Sequence, residues 1–261
     1  MVSLHLTCGN DDKDKILAGL WEAGTAGVTE TDLPGNECAL RAFFESPIDH
    51  SEFTDYSPRW EQEPDVDWAA ESRAAWPARV VGERWFIVPP WNEDAVPEGR
   101  VRLVINPGIG FGTGNDLTTQ LCLEALEREW SAGDAVLDFG TGSGILALAA
   151  HALGSKTVAA CDIDDDAVRA ARLDLPEAIG LFTGSIRSIR DASIDLLLAN
   201  LNAETIANHA AEMRRVLRPG GRVIISGVPP RHGERVSKAL TANGIPPREV
   251  HEEQIWLRIV C

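Results

Sequence analysis

No apolar run in this 261-residue chain approaches the ~20 residues of a bilayer-spanning helix. A transmembrane helix is therefore not expected. The opening residues Met1-Val2-Ser3-Leu4-His5 also lack the basic and apolar regions of a secretory leader, so a cytoplasmic location is expected. Cysteine is sparse: Cys8, Cys38, Cys122, Cys161 and Cys261 form no C-x-x-C pair, which argues against a disulfide framework and a zinc site alike. Cys261 is the last residue rather than the fourth from the end, so prenylation is not suggested either. The six histidines follow no ligand spacing, and no metal site is expected. Positive charge is short as well, with 24 Lys and Arg against 40 Asp and Glu and a net charge of −16. The imbalance is uneven: residues 1–100 hold 8 basic against 20 acidic residues, and residues 101–261 hold 16 against 20. An acidic front repels nucleic-acid phosphates and steers basic partners, although a surface kept acidic for solubility has the same composition. Neither nucleic acid nor membrane is expected as a direct partner, and the chain is expected to be a monomer.

What the chain does have is enough apolar residue, 44%, for a buried core. Strand-like patterns at 3–7, 28–30 and 39–44 surround a helical pattern at 11–23, with a turn at Pro34-Gly35-Asn36. This predicts a small α+β domain over residues 1–55. Asp, Glu, Pro and Ser dominate residues 46–75, and a linker is expected at 56–78. Residues 79–261 form the main domain. It opens with strand-like stretches at 80–88 and 101–105, expected as a hairpin-like lead-in, and a helix at 118–130. Strands at 135–139, 157–162, 179–183, 196–199 and 222–226 then alternate with helices at 145–153, 166–173 and 203–217. Such alternation predicts an α/β, doubly wound, Rossmann-like and mainly parallel sheet. Pro219-Gly220-Gly221 is expected to stop the last of those helices, and a hairpin of 248–252 with 255–260 to close the sheet edge.

Two glycine-rich segments carry the chemistry: Gly108-Ile109-Gly110-Phe111-Gly112-Thr113-Gly114 and Asp138-Phe139-Gly140-Thr141-Gly142-Ser143-Gly144. The second lies between an apolar strand and a helical run, as a nucleotide-binding loop must. A dinucleotide fingerprint places glycines first, third and sixth. Here they fall first, third and fifth, and Ile145 takes the sixth place. That disfavours a nicotinamide oxidoreductase and matches the loop that binds S-adenosylmethionine. A ribose-binding acid is then expected at the end of the next strand, and Asp162 stands 22 residues beyond Gly140.

Ligands of a doubly wound sheet sit beyond the carboxyl ends of its strands, where Gly140, Asp162, Ser185 and Asn200 collect. Gly140, Gly142 and Gly144 let the ligand's methionyl part approach the main chain, and Asp138 can meet its ammonium group. Asp164 or Asp165 reads as a cap of the following helix. Asn200 can orient an amine lone pair through its carbonyl oxygen, while Asn202 stands nearer the following helix and can cap it. Thr118 and Thr119 either cap their helix or meet the cofactor's carboxylate at the helix N-terminus. The first segment reads as a mobile cover that lets Phe111 and Thr119 close on the cofactor. Methyl transfer from a sulfonium needs positioning, a neutral amine and exclusion of water, so no nucleophilic triad is required.

Together these residues resemble the ribosomal protein L11 methyltransferases over nearly the whole chain. The resemblance rests on the small N-terminal domain, Asp67-Trp68 and Trp76, the stretch 85–91, the segment from Pro107-Gly108 to Thr119, residues 138–144, Asp162-Ile163-Asp164 and Ala199-Asn200-Leu201. It implies a class I methyltransferase fold, with Thr119, Gly140, Asp162 and Asn200 binding S-adenosylmethionine. It further implies methylation of lysine ε-amines and an N-terminal α-amine of ribosomal protein L11, held by the N-terminal domain. An acidic front suits such a basic substrate, chiefly by raising the encounter rate. One departure stands out: Asp116 occupies the place of a family histidine in Gly112-Thr113-Gly114-Asn115-Asp116-Leu117-Thr118-Thr119. Alternatives from the residues themselves are a methyltransferase of the same fold acting on another protein's lysine or a small molecule, and a non-catalytic cofactor-binding module.

Overall fold

The computed structural model describes residues 1–62, 76–107 and 112–261. They divide between two compact units, Met1–Ser72 and Arg73–Cys261. The expectations for Asp67-Trp68, Gly108, Gly110 and Phe111 fall outside the described residues.

In the first unit, alternation along β1 (Val2–Gly9) puts Val2, Leu4, Leu6 and Cys8 on one buried face. Helix α1 (Lys13–Glu22) lays Ile16 and Leu20 in the same core, with Leu40, Ala42 and Phe44 of β3 (Glu37–Phe44). β2 (Gly27–Leu33) pairs with β3, and β4 (Arg59–Gln62) pairs with β1, giving the antiparallel order β2-β3-β1-β4. β4 falls inside the stretch expected as linker. It is short and polar, so no alternation announces it. A 3-10 turn at Ser51–Tyr56 seats Phe53 in the core, and the Trp60 indole donates to His50 Nδ1 at 3.2 Å.

In the second unit, β5 (Arg79–Val81), β6 (Trp85–Val88) and β7 (Val101–Val104) form a three-stranded sheet. The expected hairpin is corrected here: β6 and β7 run parallel, and the antiparallel pair is β5 with β6. A parallel pair needs its connection to return the full length of the strand, and residues 89–100 do so. Trp85 is fully buried, and its indole donates to the Leu123 carbonyl at 3.0 Å.

Seven strands make the main sheet: β8 (Ala135–Phe139), β9 (Thr157–Asp162), β10 (Ile179–Thr183), β11 (Ile194–Asn200), β12 (Leu217–Val228), β13 (Glu249–Glu253) and β14 (Trp256–Val260). Their order is β10-β9-β8-β11-β12-β14-β13. The first five are mutually parallel, and the closing hairpin is antiparallel as expected. Leu196, Leu197 and Leu198 are fully buried because helices cover both faces of the central strand, which is why it reads as an unbroken apolar run. Truncating Leu197 to alanine there costs about 2–5 kcal/mol.

The helices are α2 (Leu117–Glu129), α3 (Ile145–Ala152), α4 (Asp165–Asp174), α5 (Ala203–Val216) and α6 (Pro230–Ala242). Helix α6 was not among the elements expected from the sequence. Pro230 starts the helix, where a proline loses no hydrogen bond, and Val236 and Leu240 face the core. The expected stop at Pro219-Gly220-Gly221 is also corrected. α5 ends at Val216, and the three residues lie inside β12, whose register against β11 shifts between Ile194 and Leu196. Among the described residues no helix is long and apolar enough to cross a membrane.

Candidate functional site

Strand order reverses between β8 and β11, and a crevice opens there beyond the strand ends. After β8 the chain turns sharply: the Gly140 and Thr141 amides both donate to the Cys161 carbonyl, at 2.9 and 3.0 Å. Gly140 has φ +78°, and a Cβ placed on it would lie 2.4 Å from Leu201 Cδ2. No side chain fits, so the backbone itself forms the crevice floor.

A cavity of about 140 Å³ sits on this floor. Thr119, Gly140, Gly142, Asp162 and Asn200, far apart in sequence, all line it. Gly112, Thr141, Ile145, Leu146 and Leu201 complete the lining, and none of them was expected as a site residue. The signal for Thr141, Ile145 and Leu146 was their place in the loop-to-helix junction; Leu201 follows Asn200 directly. Gly144 does not line the cavity; it has φ +87°, and a Cβ there would meet Leu175 at 2.9 Å.

The carboxylate of Asp162 ends β9 and is tied at both oxygens. Oδ2 accepts from the Gly142 amide and Oδ1 from the Asp164 amide, each at 3.0 Å. These bonds aim the group while leaving it further lone pairs for hydroxyl donors. The two capping expectations nearby separate cleanly from the site. Asp164 Oδ1 accepts from the Asp166 amide at 2.9 Å and caps α4, and Asn202 Oδ1 accepts from the Thr205 amide at 2.9 Å and caps α5. Asn200 is thereby free of capping. Its Nδ2 donates to Thr119 Oγ1 at 3.1 Å and Thr118 Oγ1 at 3.3 Å, so the amide joins the end of β11 to the start of α2. Ser185, by contrast, accepts from the Arg187 amide and opens a 3-10 turn. Asp116 stands at the N-cap of α2 without a side-chain bond to the helix.

Asp138 lies behind the loop, fully buried and not in the cavity lining. Oδ2 accepts from the Thr141 hydroxyl at 2.6 Å and the Ala147 amide at 3.1 Å, pinning the loop to α3, while Oδ1 has no hydrogen-bond partner. Burial pushes its carboxyl up to about 6; the two hydrogen bonds pull it down and the neighbouring Asp162 adds to the rise. The two glycine segments are also joined, because Ser143 Oγ donates to the Gly112 carbonyl at 2.7 Å. Among the described residues no group of three or more His, Cys, Asp or Glu is placed to hold a metal ion.

Residues 37–261 match the model of the family described as Ribosomal protein L11 methyltransferase (PrmA). Relatives bearing the name ribosomal protein L11 methyltransferase include those of Symbiobacterium thermophilum, 37% identical over 206 residues, and Geobacillus kaustophilus, 38% over 202. These matches cover 78% and 75% of this chain but only 67% and 64% of the relatives. The Thermus thermophilus relative is 36% identical over 250 residues, covering 94% of this chain and 92% of its own length. Among solved structures, the ribosomal protein L11 methylase of Lactobacillus delbrueckii subsp. bulgaricus superposes with a TM-score of 0.66 at 31% identity, over 70% of this chain and 96% of that one. The doubly wound sheet, the glycine loop after its first strand and the family match over most of the sequence agree, and the chain belongs to the ribosomal protein L11 methyltransferase family.

Proposed function

We propose that this chain transfers methyl groups from S-adenosylmethionine to amino groups of ribosomal protein L11, at lysine ε-amines and the N-terminal α-amine. The observation that carries the reading is the convergence of Thr119, Gly140, Asp162 and Asn200 on one cavity at the sheet's switch point, in a chain of this family. The donor set suits the cofactor. Asp162 offers a fixed carboxylate to two ribose hydroxyls, Gly140 and Gly142 offer bare backbone to the methionyl part, and Asp138, with its orphaned Oδ1, puts a buried anion behind that loop, where its field favours an ammonium group. When bound, S-adenosylmethionine supplies a sulfonium methyl group to a neutral amine.

The chain's own part is positioning. Asn200 accepts an N–H of the incoming amine through Oδ1, which aims the lone pair. Thr119 and the start of α2 meet the cofactor's carboxylate, where helix amides favour negative charge. Gly144 completes the loop turn. The N-terminal unit, Met1–Ser72, holds the substrate, and its acidic surface speeds encounter with a basic protein. The enzyme acts in the cytoplasm as a monomer, without direct contact to nucleic acid.

The test is transfer of label from S-adenosylmethionine to purified L11. Labelled L11 is the expected result. Label on another protein but not on L11 would overturn the substrate, and absence of cofactor binding would overturn the reaction class.

A further inference from the structure

The function of Asn200 depends on which way its amide points, and two neighbours decide that. On one side Thr118 and Thr119 take both Nδ2 hydrogens through their hydroxyl oxygens. On the other side β12 runs directly beside it: Asn200 is paired with Ser226, the Leu201 amide donates to the Ser226 carbonyl at 3.1 Å, and Gly227 follows. Gly227 has φ +81°, and a Cβ there would lie 2.6 Å from the Leu201 carbonyl oxygen and 3.1 Å from Asn200 Oδ1. The carboxamide oxygen therefore sits against Gly227, where β12 offers bare backbone instead of a side chain. Any methyl group at 227 crowds that oxygen and pushes on the backbone that carries it.

We propose that Thr118 and Gly227 are positioning residues for methyl transfer: Thr118 fixes the nitrogen side of the Asn200 amide, and Gly227 keeps its oxygen side clear for the acceptor amine. This rests on the reading of Asn200 given above. Neither residue lines the cavity, so both act through Asn200 rather than on the cofactor.

The experiment is a double-mutant cycle on the full chain, with S-adenosylmethionine affinity measured by calorimetry and turnover measured on saturating L11. Gly227→Ala and Thr118→Val are each expected to lower kcat by about tenfold or more with cofactor affinity little changed, the pattern of an interaction made to the reacting group. In an Asn200→Ala background neither should lower kcat further, because the group they position is gone. Gly220→Ala is the control for backbone strain. It lies on the same strand with φ +78° and open space around its Cβ, so it carries the strain without the crowding and should keep wild-type kcat. Thr118→Val carries the cycle if Gly227→Ala fails to fold. Losses that multiply with Asn200→Ala, or an equal loss from Gly220→Ala, overturn the positioning role. Full turnover by Asn200→Ala itself would instead sink the amine-holding reading on which it rests.

Discussion

Replacing Asp138 with asparagine should make the empty protein more stable while weakening its hold on cofactor. The carboxyl is fully buried, and its pKa is raised from an ordinary 3.8 to about 6, first by burial. A rise of that size corresponds to ~3 kcal/mol against the charged form in the folded state. Because the folded value is the higher one, the favourable contribution is complete below the unfolded value of 3.8 and is lost as pH climbs through about 6. Asparagine keeps an acceptor for the Thr141 hydroxyl and the Ala147 amide and carries no charge to desolvate. Measured by denaturant unfolding without cofactor, the stability of Asp138→Asn relative to wild type should therefore grow with pH, by about 1.4 kcal/mol between pH 5 and pH 8. Calorimetry should show the opposite for the ligand: losing the buried negative charge behind the glycine loop should weaken binding of a cofactor with an ammonium group by roughly 10-fold, or about 1.4 kcal/mol. A stability difference independent of pH would refute the burial argument. Unchanged cofactor affinity would refute the reason for keeping an anion there.

Asp162→Ala should weaken S-adenosylmethionine binding by about 10-fold or more, through loss of two hydroxyl contacts and release of the Gly142 amide; equilibrium dialysis would read this directly. Asp164→Ala removes the cap of α4 but leaves the backbone amide that supports Asp162, so thermal unfolding should report a loss of about 1 kcal/mol with cofactor affinity intact. Gly140→Ala places a methyl 2.4 Å from a Leu201 carbon, and it should abolish cofactor binding before it abolishes folding, as circular dichroism alongside calorimetry can tell. If acidity steers the substrate, the association rate with L11 measured by stopped flow should fall steeply as salt rises while the dissociation rate changes little.

Much of the second unit was legible because its signals are local. The largely buried strands β8 and β11 announce themselves as short apolar runs, Asp164 and Asn202 stand one residue before their helices, and the glycine spacing after β8 separates one cofactor class from another. What escaped depends on geometry that single residues do not encode. Whether β6 and β7 form a hairpin or a parallel pair turns on the path of residues 89–100, not on the strands themselves. Pro229-Pro230 and Gly233 look like loop residues, yet a proline is at home in a first helical turn and Gly233 sits where a Cβ would strike Leu257 at 2.5 Å. Pro219-Gly220-Gly221 looked like a terminator because nothing nearby told that a strand would accommodate it as a shift of register. In the site, the charged and amide residues were readable from their places at strand ends, whereas the apolar wall residues Leu201 and Ile145 had only their places beside Asn200 and Gly144 to mark them.

The last hairpin has a consequence for how the molecule behaves among copies of itself. β12 is twelve residues long and has an apolar middle in Val223, Ile224 and Ile225; as an outermost strand it would offer a ready template for another chain's backbone. β14 covers it, and β13, which then becomes the rim, is nearly all charge and imidazole: Glu249, His251, Glu252 and Glu253. A neighbouring rim docking there would bring carboxylates face to face, so the sheet ends in a strand that discourages its own continuation.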